Sequence, residues 1–291
     1  MRKNVTLVLS GGGARGIAHI GVIEEFVSRG YTINSIAGTS MGALVGGVYA
    51  VGRLNEFKEW AYTMDKQNAL KLIDLSFGGQ GLVKGNKVLK AMKTFIPDVN
   101  IENLGIKYTA TAFDLAHNNE VVFDRGSLYD AIRASIAIPT VFTPVISGSQ
   151  VLVDGGVSNN IPINNAIRTR RDLLVAVYVN ADIPLYKPYL PKAERERQHS
   201  VYVQKIAELK QSLFKTDRRD QIRKYNYFNL INSAFVSMSN HLATNIIKNN
   251  PPDLLIEISR KSCGLFDFYK AEELVEIGRY ATKRTLDSSK H

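Results

Sequence analysis

The feature that most limits how this chain can fold is a pattern used twice in its first fifty residues: a short strand-like run, a glycine-bearing turn, then a helical segment. Val5 to Leu9 is apolar apart from Thr6 and runs into Gly11-Gly12-Gly13. An amphipathic segment carrying Ile17, Ile20 and Val27 follows and stops at Gly30. Ile33 to Ala37 reads as a second short strand, and a small-residue helix from Ala43 to Tyr49 stops near Gly52. Crossovers of this length, with a helix between strands, join parallel neighbours, and the helices must bury their apolar stripes on the sheet. An α/β sandwich is the expected fold class.

The rest of the chain continues in that style as far as residue 181. Ile106 to Ala112 and Glu120 to Phe123 are expected to pair as strands, and Ser127 with Asp130 three residues on marks the start of a helix leading to Ile136. Pro139 and Pro144 force an extended path. Val145 and Ile146, a Gly148-Ser149 turn and Val151 to Val153 form a predicted hairpin ending in Asp154-Gly155-Gly156. A helix is predicted from Pro162 to Arg171, feeding a buried strand over Leu173 to Val179. From Asp182 the character changes: between Lys187 and Lys224 there are eleven Lys/Arg against five Asp/Glu, a local net charge of +6. Residues 182–250 are therefore expected to form a helical insertion or lid within one catalytic domain spanning 1–291. Within it, Leu230, Ala234, Met238, Leu242 and Ile246 step by four residues, which predicts a core-facing helix. A strand over Leu254 to Ile258 and a helix from Lys270 to Thr285 close the chain. Gly78, Gly79, Gly81 and Gly85 suggest a mobile loop over a site.

Composition narrows the classes. The single cysteine, Cys263, cannot form an internal disulfide, and no Cys/His spacing suits a structural metal, so a reducing cytoplasm is the expected compartment. No run reaches the roughly 18 to 20 apolar residues that a membrane-spanning helix needs, so lipid contact is expected to be peripheral. The net charge of +10 fits an anionic partner, whether nucleic acid or an anionic membrane, and fits mere solubility as well. An anionic membrane is favoured over nucleic acid, for which no finger, zipper or ribonucleoprotein motif is present. Docking of the basic region from Lys187, through Lys215, Arg218 and Arg219, competes with a plain solvated helix face.

The chemistry centres on Gly38-Thr39-Ser40-Met41-Gly42, a Gly-x-Ser-x-Gly sequence between a predicted strand and a predicted helix. That context is what a nucleophile elbow requires, with Gly38 and Gly42 making room for neighbouring backbone. A serine nucleophile needs a base. Of the five histidines, His19 lies inside the first helix, His117 in a polar turn, His199 and His241 in the charged half, and His291 at the end. This favours a carboxylate, and Asp154, ending a strand before two glycines, ranks above Asp114, Asp124 and Asp130. Backbone amides of Gly11, Gly12, Gly13, Ala14 and Arg15 are candidate oxyanion donors, with Arg15 adding fixed charge. The same stretch to Gly16 also fits the dinucleotide pattern Gly-x-Gly-x-x-Gly. That reading requires an acidic residue about 20 positions on, at the end of the second strand, and the chain places Gly38-Thr39-Ser40 there instead.

Taken in order, Gly11 to Gly16, Gly38 to Gly42 and Asp154-Gly155-Gly156, with Ala134 to Pro139 before the last, resemble the patatin-like phospholipase family over roughly residues 4 to 180. The resemblance implies a three-layer α/β/α sandwich with a mostly parallel central sheet. It implies a Ser40–Asp154 dyad, no metal and no cofactor, and cleavage of fatty acyl esters of phospholipids or related lipids through an acyl-enzyme. A serine esterase, thioesterase or peptidase on soluble substrates, or a non-catalytic lipid-surface binder, are the alternatives.

Overall fold

The computed structural model describes residues 3–65, 86–97, 99–139, 141–169, 171–185 and 227–289. The chain divides into two compact units, Met1–Tyr186 with Ser237–His291, and Lys187–Val236. The glycine-rich stretch expected to be a loop over a site, and most of the basic region expected to be a lid, lie outside the described residues.

The first unit is built on β1 (Asn4–Leu9), β2 (Thr32–Thr39), β3 (Lys107–Asp114), β4 (Asn119–Phe123), β5 (Val145–Ser147), β6 (Gln150–Asp154), β7 (Leu173–Ala181) and β8 (Leu254–Ser259). They form one sheet in the order β5-β6-β3-β2-β1-β7-β8, with β4 on β3. The pairs β1/β2, β1/β7, β2/β3 and β7/β8 are parallel, while β4, β5 and β6 pair antiparallel. The described helices are α1 (Ala18–Ser28), α2 (Met41–Ala50), α3 (Leu54–Tyr62), α4 (Asn86–Phe95), α5 (Leu128–Ser135), α6 (Tyr227–Asn249) and α7 (Ala271–Ser288).

Side-chain alternation along the strands produces the layers. Val5, Leu7 and Leu9 of β1 and Val175, Val177 and Val179 of β7 enter the larger core, together with Ile20, Ile23, Val45, Ile132 and Leu274 from α1, α2, α5 and α7. Val8, Leu174, Ala176 and Tyr178 point the other way, against Ile161, Ile163 and Ala243 of α6. Helices on one face and α6 on the other make the α/β/α sandwich, its central sheet mostly parallel. Among the described residues no helix is long and apolar enough to cross a membrane.

One feature of the register positions the site. β2 runs parallel to β3 as far as Thr39 opposite Thr111, and β6 runs antiparallel to β3 as far as Asp154 opposite Ala112. Because β4 occupies the other edge of β3 from Ala110 to Asp114, β2 and β6 share one edge. They arrive from opposite directions and stop at adjacent β3 residues.

Two expectations are corrected. The helix predicted from Pro162 to Arg171 is only a 3-10 turn, Ile163–Asn165, after which Ala166 is extended. Tertiary bonds hold the segment instead: Asn165 donates to Thr111 Oγ1 and Glu120, and Arg168 donates to the Asp172 carbonyl and pairs with Asp253. The stripe on α6 is helical as expected but does not face the core: Leu230, Met238 and Leu242 are 54%, 67% and 38% exposed. A four-residue step overshoots a turn by about 40°, so the row rotates by about 160° between Leu230 and Ile246 and cannot keep one face. Small residues, Ser239 and Ala243, are the buried ones.

Helices α1 and α7 approach through glycine. A Cβ on Gly21 would lie 1.9 Å from the Val275 carbonyl oxygen, and one on Gly278 would lie 2.0 Å from that of Ala18. Alanine at either site gains up to about 1 kcal/mol of helix propensity, yet neither backbone can yield without separating the helices. Gly21→Ala and Gly278→Ala are each expected to lower stability by about 1–3 kcal/mol, the range for overpacking. Urea unfolding checks this; a raised midpoint would contradict the close approach.

Candidate active site

Ser40 stands where β2 becomes α2, with φ 54° and ψ −123°. A non-glycine residue there is strained by about 1–3 kcal/mol and persists only where its surroundings hold it. Ser40 N–H donates to Ser135 Oγ at 2.9 Å, and Ser135 in turn donates to the Thr111 carbonyl at 2.6 Å. Thr39 Oγ1 donates to the Asn159 carbonyl at 2.8 Å. The flanking glycines are steric requirements. A Cβ on Gly42 would lie 2.1 Å from the Leu9 carbonyl oxygen, and one on Gly38 would lie 2.5 Å from Ala43 N.

Asp154 is brought to Ser40 by the shared edge of β3. Its carboxylate accepts from Gly156 N–H at 2.7 Å and lies close enough to Ser40 for the hydroxyl to favour its ionised form, and its own N–H donates to the Ala137 carbonyl. Gly155 lets the turn pass Thr111, whose carbonyl oxygen would stand 2.4 Å from any Cβ there. Burial pushes the Asp154 carboxyl up to about 6, against the opposing effect of the hydrogen bonds from Ser40 and Gly156. Asp114 and Asp124 are engaged elsewhere, and Asp130 sits at a helix start. Burial alone would raise Asp114, but bonds from His117 and from the Val151 and Ala116 amides bring it down to about 2. Asp124 pairs with Arg125, and Asp130 lies in the first turn of α5, whose cap Ser127 accepts from the Asp130 amide. His19 bonds to the Ser10 carbonyl at 2.8 Å and burial takes it down to about 4. None of the described histidines hydrogen-bonds to Ser40.

The glycine loop lies against this pair: a Cβ on Gly11 would be 3.1 Å from Ser40 Cβ. Its expected donor set is narrowed by the structure. Gly11 N–H donates to the Asn160 carbonyl and Ala14 N–H to the Leu265 carbonyl, each at 2.9 Å, so neither is available. Arg15 is buried and faces away, its Nε on Asn180 Oδ1 at 2.8 Å and Nη1 on the Cys263 carbonyl at 3.0 Å. Its guanidinium braces the loop and is not free to meet an anion. The amides of Gly12, Gly13 and Met41 have no hydrogen-bond acceptor among the described residues. Gly16 allows the turn to pack on Met41, whose Cγ would be 2.4 Å from a Cβ there.

The sequence profile of the patatin-like phospholipase family matches residues 7–167, which include the glycine loop, the serine turn and the Asp-Gly-Gly turn. The chain belongs to the patatin-like phospholipase family. An uncharacterised NTE family protein of Mycobacterium bovis is 33% identical over 329 residues, covering 98% of this chain and 91% of the relative. Neuropathy target esterase sws of Drosophila persimilis is 32% identical over 167 residues, 55% of this chain and 12% of that protein. VipD of Legionella pneumophila matches 99% of this chain and 67% of its own with a TM-score of 0.50 at 14% identity, a likeness of fold.

Three residues of this patatin-like site were not singled out from sequence. Ser135 holds the strained Ser40 amide. Asn160 accepts from Gly11 N–H through its carbonyl, and its side chain donates to the Gly11 carbonyl at 3.4 Å. Asn180 donates to the same carbonyl at 2.8 Å while accepting from Arg15, so one side chain ties both parts of the loop to β7. Among the described residues no cluster of three His, Cys, Asp or Glu could hold a metal ion. Ser135→Ala leaves the buried Ser40 amide without its acceptor and is expected to lower stability by about 1–3 kcal/mol. Denaturant unfolding measures this, and an unchanged midpoint would show that the elbow does not depend on Ser135.

Proposed function

We propose that the protein is a lipid acyl hydrolase in which Ser40 is the nucleophile and Asp154 its general base, acting on fatty acyl esters of phospholipids or related lipids. The observation that carries this reading is the juxtaposition of Ser40, strained at the end of β2, with the buried Asp154 carboxylate at the end of β6, next to amides without acceptors among the described residues. The printed names of the family and of its Drosophila relative, phospholipase and esterase, support the reaction class and lipid as substrate.

As Ser40 Oγ bonds to the ester carbonyl carbon, its proton passes to Asp154 and the carbonyl oxygen becomes an oxyanion. The unpaired N–H groups of Gly12, Gly13 and Met41 are its donors, fixed before the reaction begins. Collapse of the tetrahedral intermediate breaks the bond to the leaving alcohol, which takes the proton from Asp154. Water then attacks the acyl-enzyme, Asp154 accepts its proton, and Ser40 is regenerated with release of the acid. The burial that raises Asp154 makes it a stronger base than an exposed carboxylate while leaving it mostly ionised at neutral pH.

Release of fatty acid from phospholipid vesicles, and turnover of a soluble short-chain ester, test the reading. Ser40→Ala and Asp154→Asn are expected to lose activity on both substrates, by a factor on the order of 10² or more for removal of the base. Full activity in folded Ser40→Ala would overturn the assignment; turnover of soluble esters alone would move the substrate class away from lipids.

The pH dependence follows with a defined sign. The base must be ionised, so kcat/KM is expected to fall about tenfold per pH unit below an apparent value near 6. A limb at the ordinary carboxylate position near 3.8 would contradict the burial effect. Because the folded state holds this proton more tightly than the unfolded chain, the contribution of Asp154 to stability declines as pH rises from about 4 through about 6. Asp154→Asn is therefore expected to be at least as stable as the wild type at pH 7, which unfolding in urea would show.

A further inference from the structure

Helix α6 turns toward solvent a face that carries no formal charge. Met238 is 67% exposed and Leu242, one turn on, 38%. Beside this row runs a second one, Ser233, Ser237, His241 and Asn245, also exposed. The helix contains no Asp, Glu, Lys or Arg before Lys248, in a chain of which 22% is charged. A helix that meets only water carries its charged residues on such a face. A bulky apolar row flanked by small uncharged polar residues is the pattern of helices that lie in the plane of a lipid interface and fill packing gaps between headgroups.

The inner side of the same helix meets the site. Ser239, next to Met238, is buried, and its Oγ would stand 3.6 Å from a Cβ on Gly156, two residues from Asp154. Asn240 Oδ1 accepts from the Tyr178 hydroxyl at 3.4 Å, and Ala243 is buried among Val8, Ala37 and Ile161. The exposed rows and the Asp154 turn are thus separated by the thickness of one helix, about 10 Å.

We propose that this outer face of α6 docks on the surface of a phospholipid bilayer, with Met238 and Leu242 entering the boundary between headgroups and acyl chains. The inference rests on the lipid hydrolase reading, since a bilayer is where such a substrate resides. The chain as a whole carries a net charge of +10, the sign that anionic headgroups attract. A protein partner would have to supply bonding groups for the Ser and Asn side chains of the second row, whereas at a bilayer these remain hydrated among the headgroups.

The test is co-sedimentation of the full chain with phosphatidylcholine vesicles, with and without phosphatidylglycerol, comparing the wild type with Met238→Gln/Leu242→Gln. Glutamine removes the apolar contact without adding charge. The variant is expected to lose about tenfold in partitioning on both compositions, as apolar burial dominates interfacial binding. Its thermal midpoint, gel-filtration volume and soluble-ester turnover should be unchanged. Unchanged partitioning, or a wild type that binds neither vesicle, overturns the proposal. A fall in soluble-ester turnover would place this face in the chemistry instead, and conversion of a wild-type dimer to monomer would give it to a second copy; either overturns it. Ser40→Ala separates the two readings, because it should partition as the wild type does while releasing no fatty acid. Retained turnover in Ser40→Ala would remove the catalytic assignment without touching the partitioning result.

Discussion

The site depends on a single edge of β3 being shared by two strands that meet end to end. Thr39 and Asp154 stop opposite Thr111 and Ala112, so the residue after one strand and the last residue of the other are forced into contact. Neither could be moved there by local sequence alone, since they are more than a hundred positions apart. The Thr111 carbonyl, freed where β2 ends, accepts from Ser135, and Ser135 accepts from the strained Ser40 amide. The same carbonyl excludes any side chain at Gly155. A backbone group that would ordinarily be spent in a ladder is thereby used to hold the elbow, and the requirement that buried backbone groups find partners becomes the means of positioning a side chain.

Burial then sets the chemistry. A carboxylate taken out of water is disfavoured, and hydrogen bonds from Ser40 and Gly156 offset only part of that effect, so Asp154 titrates near 6. Asp114, on the neighbouring strand and equally inaccessible, has the opposite fate because His117 and two amides satisfy it. Two buried aspartates within one sheet are separated by their donors, one held as a structural anion and the other left able to exchange a proton.

What could be read from the sequence was what is locally encoded. Alternation along β1 and β7, the Ser127 cap, the hairpin around Gly148 and the steric demand at Gly38 act over a few residues and leave local marks. The register of β2 against β6 leaves none, nor do the links from Ser40 to Ser135 and from Gly11 to Asn180, 95 and 169 residues apart. The helix expected after Pro162 failed for the same reason. Its local preferences were sound, but Asn165 found partners on β3 and β4, and Arg168 on the residues just before β7 and β8, that a helix would have withdrawn. The glycine loop is visible in the sequence, and only tertiary contacts reveal that Gly11 and Ala14 spend their amides on Asn160 and Leu265.

Helix α6 shows why periodicity and burial must be kept apart. Its four-residue row marks it as a helix, yet the side in contact with the sheet is made of Ser239 and Ala243, because a close approach to Tyr178 and the Gly156 turn admits only small side chains. Bulky residues were then left for the outer face, and nothing in the physics of a water-soluble helix calls for Leu230, Met238 and Leu242 there in place of lysine or glutamate. Their exposure is unfavourable in water and becomes favourable only against an apolar surface. The inner residues of this helix are small because it approaches the Asp154 turn closely, and its outer residues answer to something other than water.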